Sequence, residues 1–226
     1  IAFSIASAEA IRSRSKGELE NGELVDHREL KPVEGGLFCR KIFGPEQNVA
    51  CDCGSFKGRD HLGKICGCGS PVVDQRAKRM GHIELAAPVA HIWFYKPAPN
   101  YLALALGVLP KDLKKLMAFE AQVVVEPMTT GMQVGRILSP AALLKARNTF
   151  GLAGFRARGG CEGIREALVQ MDIASEVARL KPLIEMEKRT AKARREARRF
   201  MLLSSFLASG FRPESMLLQV LPVQPA

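Results

Sequence analysis

No apolar run in this sequence is long enough to cross a bilayer. The longest, Leu102 to Leu109 with Gly107 inside it, is about half of the roughly 20 residues that a transmembrane helix needs. The first residues, Ile1 to Ala8, lack both a basic leader and a long apolar stretch, so they do not read as a secretory signal. Glycine loops of the Walker kind are missing, as are His-Glu-x-x-His and Gly-x-Ser-x-Gly. The aspartates are scattered, which leaves no carboxylate cluster suited to magnesium. Internal repeats and low-complexity tracts are absent too. His82 and His91 fall in a segment rich in apolar residues, where a hydrogen-bonded structural histidine is the expectation. The catalytic residue set read from these patterns is therefore empty.

Aromatic residues are sparse, 6% of the chain, but 47% of its 226 residues are hydrophobic and 25% charged. That is enough to bury a core in one or two domains, and it excludes a disulfide miniprotein and a disordered tail. Lysine and arginine number 33 against 23 acids, a formal charge of +10. Such an excess points to a polyanionic partner, nucleic acid or an acidic membrane face. The sequence opens on Ile1 and closes on Leu221-Pro222-Val223-Gln224-Pro225-Ala226 without a terminator signal, so a section of a longer chain is expected.

Four of the six cysteines form two tight pairs, Cys51-Asp52-Cys53 and Cys66-Gly67-Cys68, with residues 54–65 between them. Thiolates this close present two sulfurs to one ion, and two pairs joined by a hairpin complete a tetrahedral site for one structural Zn2+. Gly54 and Gly69 follow the pairs directly, where glycine lets the backbone turn its amides toward the sulfurs. The intervening stretch carries Lys57, Arg59 and Lys64 and no apolar core of its own, so its folding would depend on the metal. The competing reading is a loop of free thiols, which the short second pair favours. His61 lies between the pairs as a possible substitute ligand or an exposed loop residue. Cys39 and Cys161 stand alone and read as free structural thiols.

Along the chain, Ser7 caps a short helix that ends before Gly17. Residues 17–36 read as an extended arm with turns, and Leu37 to Phe43 as a short apolar segment closed by Gly44-Pro45. Residues 72–79 hold Arg76, Lys78 and Arg79 against one acid, Asp74; residues 80–95 read as strand or packed extended chain. Helices are predicted over 111–119, 140–150 and 161–171, with a short strand at Val123 to Val125. One long helical pattern spans about Ile173 to Ala208, with Pro182 as its start or a kink. Within it Met186, Thr190, Ala193, Ala197, Phe200, Met201 and Ser204 make the packed face. The opposite face, with Lys188, Arg189, Lys192, Arg194, Arg195, Arg198 and Arg199, is solvated or phosphate-facing. A strand is predicted from Met216 to Val220. On the residues alone the chain is a basic, zinc-stapled binding or scaffold protein.

Arg79 to Phe94 (RMGHIELAAPVAHIWF) closely resembles a segment of the largest, beta-prime, subunit of bacterial RNA polymerase. Ala8 to Glu18, Lys31 to Pro45 and Ser205 to Pro222 follow the family's order around it, and the cysteine module lies where the family carries a zinc element. The resemblance implies an α+β fold: an irregular clamp base with many helices, short antiparallel strands and a small zinc module. It implies an arm and start of the clamp at 1–50, the zinc module at 51–79 and a helix-rich clamp base at 80–226. Nucleic-acid contacts are expected at Lys57, Arg59, Lys64, Arg76, Lys78 and Arg79, and metal ligation at Cys51, Cys53, Cys66 and Cys68. The implied partners are DNA, the RNA–DNA hybrid, the beta, alpha and omega subunits and a sigma-type factor, in the cytoplasm at the nucleoid and not at a membrane. The family's catalytic Mg2+ motif is absent here, so this section would be inactive alone, within a nucleotidyltransferase. The alternative is a free-standing zinc-stabilised nucleic-acid-binding protein related to that clamp. Departures from the family are the second cysteine pair, one residue shorter than its usual Cys-x-x-Cys, and Arg14, Lys16 and Ser215 where aromatics are common.

Overall fold

A computed structural model describes residues 5–26, 28, 32–44, 49–72, 79–186 and 190–224. In chain order, α1 (Ala8–Arg14), β1 (Ser15–Glu18), α2 (Arg40–Phe43), β2 (Met80–Ala90), α3 (Ile92–Tyr95), α4 (Tyr101–Leu106) and α5 (Pro110–Met117) make the first half. They are followed by β3 (Gln122–Glu126), β4 (Ile137–Leu138), α6 (Pro140–Phe150), β5 (Arg156–Arg158), α7 (Gly160–Gln170), α8 (Ile173–Met186), α9 (Ala191–Ser209) and β6 (Leu217–Val223). The fold is mixed, with many helices beside two small three-stranded sheets, ordered β1-β2-β6 and β4-β3-β5. The chain divides into two compact units, residues 1–86 with 219–226, and residues 87–218.

In the first unit Ser7 accepts the Ala10 amide at 3.1 Å and starts α1, which runs directly into β1. This strand pairs with β2 in parallel, Ser15 opposite Met80 and Glu18 opposite His82. His82 is structural, as read: its Nδ1 meets Ser15 Oγ at 2.7 Å, tying the two strands. Leu19, Cys39, Ile42 and Phe43 form the small core, with Ile83 and Val223 against it. Gly81 allows this packing, because a Cβ there would lie 2.6 Å from Leu19 Cδ1 and 2.9 Å from Ile42 Cγ2.

The second unit is built around β3. Val123, Val124 and Val125 are all fully buried because both faces of the strand are covered, which explains an unbroken apolar run where a half-exposed strand would alternate. Val123 and Val125 join Leu102, Leu113, Leu116, Ile164, Leu168, Leu180, Leu203 and Met216 in the main core, while Val124 packs with Leu138 and Phe155. β4 and β5 flank β3 antiparallel. Asn100 caps α4, whose positions Leu102 to Leu106 are all buried, and Gly107 ends it in the left-handed conformation.

The long helix expected over 173–208 is two helices, and Pro182 breaks neither. It sits inside α8, while a new helix begins where Thr190 Oγ1 accepts the Ala193 amide at 3.1 Å. α8 and α9 then pack on each other. The faces assigned to α9 also need correcting. Met201, read as packed, is 68% exposed, whereas Arg199, read as part of the cationic face, is 6% exposed. The buried positions of α9 are Ala193, Arg199 and Leu203. Charge placed Arg199 on the wrong side because its guanidinium has partners distant in sequence, described next.

Candidate metal centre and basic surface

Two similar turns create the candidate metal centre. Gly54 donates to the Cys51 carbonyl and Gly69 to the Cys66 carbonyl, each at 2.9 Å, with φ of +74° and +83°. Short bridges, Ala50 with Lys57 and Ile65 with Pro71, close the turns. The second turn is tighter: Cys51 donates to the Phe56 carbonyl, Cys66 to that of Ser70, one residue nearer in sequence. Both pairs have a single-residue spacer, so the difference in length lies after the second cysteine of each pair. The Sγ atoms of Cys51, Cys53, Cys66 and Cys68 all lie within 4.8 Å of one another. Sulfurs around a tetrahedral ion with ~2.3 Å bonds would be about 3.8 Å apart, so the four residues fit such an ion with little movement. None of the six cysteines is in a disulfide.

The surroundings suit thiolates. Burial pushes the Cys51 thiol up, but the Phe56 amide at 3.2 Å, the neighbouring sulfurs of Cys53 and Cys66 and the Gly54 amide outweigh it and hold it below its ordinary value. Contacts to the Ser55 hydroxyl and amide lower Cys53, and the Ser70 and Cys53 amides lower Cys68. Cys66 receives the Cys68 amide, yet burial and the three adjacent sulfurs push it up to about 12. Four sulfurs this close cannot all ionise side by side unless a cation balances them.

Contacts that spacing could not reveal surround the turns, and one of them, between Asp52 and Ser70, joins the two. Asp52 Oδ2, from the first turn, accepts Ser70 Oγ of the second at 2.6 Å and Arg79 Nη1 at 3.0 Å. Arg40 Nη1 lies where a Cβ on Gly54 would come within 2.9 Å, which sets a cation beside the first turn. Arg40 and Arg79 lie outside the residues that bridge the two cysteine pairs; no local pattern links them to the sulfurs.

Among the expected nucleic-acid contacts, Lys57, Arg59 and Lys64 are exposed on the metal module. Arg79 is directed inward to Asp52, its side chain 23% exposed. Arg76 and Lys78 lie outside the described residues. His61 is not part of the sulfur cluster; its ring stacks on Phe56 at 4.6 Å. Cys39 is buried in the core of the first unit, and burial pushes the Cys161 thiol up against a contact from the Ala90 backbone.

A cleft of about 900 Å³ opens in the second unit, lined in part by Arg136, Glu176, Arg179, Arg195, Glu196 and Arg199. Most of its charges are matched internally. Arg199 Nη1 meets Glu176 Oε2 at 2.6 Å, while its Nε and Nη2 donate to the Leu104 and Ala105 carbonyls, satisfying the C-terminal end of α4. Arg179 holds the same carboxylate through two 3.0 Å bonds, and Arg195 lies 3.5 Å from Glu196. This is a charge network that joins α4, α8 and α9. No described helix is long and apolar enough to cross a membrane.

The family model described as RNA polymerase Rpb1, domain 1, matches residues 1–226. The chain is 42% identical over 228 aligned residues to the DNA-directed RNA polymerase subunit beta' of Cupriavidus taiwanensis. It is 43% identical to that of Nitrosomonas eutropha and 41% to that of Stutzerimonas stutzeri, again over 228 residues. In each case all of this chain aligns with 16% of the relative, so it spans about one sixth of the length of these subunits.

Proposed function

The chain belongs to the RNA polymerase Rpb1, domain 1 family, and we propose on that premise that it acts as the N-terminal clamp and zinc-binding part of a beta-prime-type subunit of DNA-directed RNA polymerase. The observation that carries this reading is the 41% to 43% identity along the whole chain. Its work is retention: exposed cations touch phosphates of DNA and of the RNA–DNA hybrid, which positions the nucleic acid without reading sequence. Nucleotidyl transfer and the Mg2+ it requires are assigned to other parts of the subunit. The beta, alpha and omega subunits and a sigma-type factor are its proposed partners, at the nucleoid in the cytoplasm.

One Zn2+ is the proposed ion, because a closed set of four thiolates is the ligand set of a structural zinc site. When bound, zinc supplies metal–thiolate bonds to a module too small to be held by apolar burial. The protein's part is to aim amides from Gly54, Ser55, Phe56 and Ser70 at the sulfurs and to set Arg40 and the Asp52–Arg79 pair beside them. Lys57, Arg59 and Lys64 then stand on a rigid surface facing outward. Lys192, Arg194 and Arg198, exposed on α9, offer a second set of cations for phosphate.

The test uses polymerase assembled with the full-length subunit. Replacing Lys57, Arg59 and Lys64 together by Glu is expected to shorten the lifetime of the DNA complex. It should also reduce the slope of log affinity against log salt by up to about 3, roughly one per lost phosphate contact. An unchanged slope removes the metal module from the DNA-binding surface.

A further inference from the structure

The two cysteine turns are near-copies in sequence, Cys51-Asp52-Cys53-Gly54-Ser55 and Cys66-Gly67-Cys68-Gly69-Ser70. They differ between the cysteines, where the first has Asp52 and the second Gly67. That difference changes what the equivalent serines do. Ser55 Oγ stays in its own turn, 3.2 Å from Cys53 Sγ. Ser70 Oγ leaves its turn and donates to Asp52 Oδ2 at 2.6 Å. Gly67 has no side chain with which to take Ser55 in return, so the crossing bond runs one way.

The backbone closes each turn on itself. Gly58 donates to the Val49 carbonyl in the first, and Gly63 to that of Val72 and Val72 to that of Lys64 in the second. Beyond contacts of the sulfurs, the described residues join the turns through Ser70 and Asp52 and through a small apolar set, Val49 and Val72 with Phe56. The accepting carboxylate is only 16% exposed, although it lies in the chain between two thiolates, where another negative charge is unfavourable. Arg79 offsets this, with Nη1 3.0 Å from the same Oδ2. Arg79 Nη1 also reaches the Lys41 carbonyl of α2 at 3.4 Å, and the residue stands directly before β2. One carboxylate oxygen thus receives a hydroxyl from the second turn and a guanidinium anchored in the first unit.

We propose that Asp52, Ser70 and Arg79 are positioning residues of the metal site. They clasp the two cysteine turns to each other and to the start of β2, so that the sulfurs stay in register when one bond to the ion opens and the ion is released slowly. The inference rests on the zinc reading of the four thiolates and adds to it the residues, none of them a ligand, that set retention. It also moves Arg79 from the phosphate contacts to the inside of the module.

The test uses the full-length subunit in its assembled polymerase. Excess EDTA is added, pulses of N-ethylmaleimide follow at intervals, and mass spectrometry of the peptides carrying Cys51, Cys53, Cys66 and Cys68 gives the rate at which they become alkylated. Asp52→Ala and Ser70→Ala are each expected to raise that rate by about tenfold or more. Ser70→Thr, which keeps the hydroxyl, should restore the parent's rate. The double variant D52A/S70A should open no faster than D52A, because both changes remove the same bond. Arg79→Gln should speed opening too, while the salt dependence of DNA affinity stays that of the parent. Parent rates in both alanine variants, additive effects in the double variant, or a Ser70→Thr rate as fast as that of Ser70→Ala overturn the clasp. A flatter salt dependence for Arg79→Gln with unchanged opening overturns that residue's place in it and returns Arg79 to the phosphate contacts. Parent cysteines that alkylate at once without EDTA overturn the zinc reading itself, whereas a protected parent with unmoved variants leaves that reading intact and removes the clasp alone.

Discussion

Arg199 combines a full charge with near-complete burial, and its geometry makes that tolerable. The guanidinium fork spends its donors on two α4 carbonyls and on Glu176, so neither the charge nor the helix end is left unsatisfied. Arg199→Leu keeps the volume but orphans those carbonyls, and a loss of about 2–3 kcal/mol in urea unfolding is expected. Arg199→Lys should recover less than half of it, because one ammonium cannot reach all three acceptors. The same network sets a pH dependence. Two bonds from Arg179, working against burial and helped by Arg199, hold the Glu176 carboxyl below its ordinary value of 4.5. A carboxyl lowered in the folded state stabilises above its unfolded pKa, and that contribution disappears as pH falls through the folded value. Unfolding midpoints measured from pH 6 downward should therefore drop more steeply for the parent than for Glu176→Gln below about pH 4.5. Parallel curves would remove Glu176 from the acid response.

At the level of elements, the paired turns of the metal centre depend on backbone that only some residues can supply. Gly54 has φ of +74° and Arg40 Nη1 where a Cβ would come within 2.9 Å, Gly69 has φ of +83° with open space, and Gly67 has neither constraint. Alanine at the three positions should therefore act in a graded way. Gly67→Ala is expected to leave metal affinity unchanged, Gly69→Ala to cost about 1 kcal/mol in backbone strain, and Gly54→Ala to cost more because Arg40 must also move. Competition with a chromogenic chelator reads the order directly, and equal affinities would contradict it. Much of this centre was legible in the sequence, since cysteine spacing and the following glycines are local signals. Arg40, Asp52 and Arg79 were not, because contacts between segments distant in the chain leave no periodic trace. The same holds for the helices: α6, α7 and the strand at Val123 to Val125 follow from their own residues and caps. The split between α8 and α9 turned on a Thr190 cap that a prominent Pro182 obscured, and Arg199 was read by its charge while its partners lay in α4 and α8.

For the molecule as a whole, apolar burial is distributed unevenly between the cysteine module and the second unit. Around the sulfurs the buried set is Val49, Cys51, Cys66 and Val72 with Phe56 against it, and two of these belong to the candidate ligand set. The second unit has its own core, with Leu102, Leu113, Leu116, Val123, Ile164, Leu168, Leu180 and Leu203 all fully buried. Burial of side chains of this size stabilises by about 1.5–3 kcal/mol each before chain entropy is subtracted. On the proposed zinc reading, a module with so few is left without a driving force once the thiolates lose their ion. Stripping the metal with a thiol-reactive reagent and chelator should thus release residues 49–72 alone. Hydrogen exchange followed by mass spectrometry is expected to show those amides exchanging within seconds, while β3 and α7 keep the protection of the loaded protein. Loss of protection in β3 and α7 on the same timescale would show instead that the metal supports the fold well beyond its own turns.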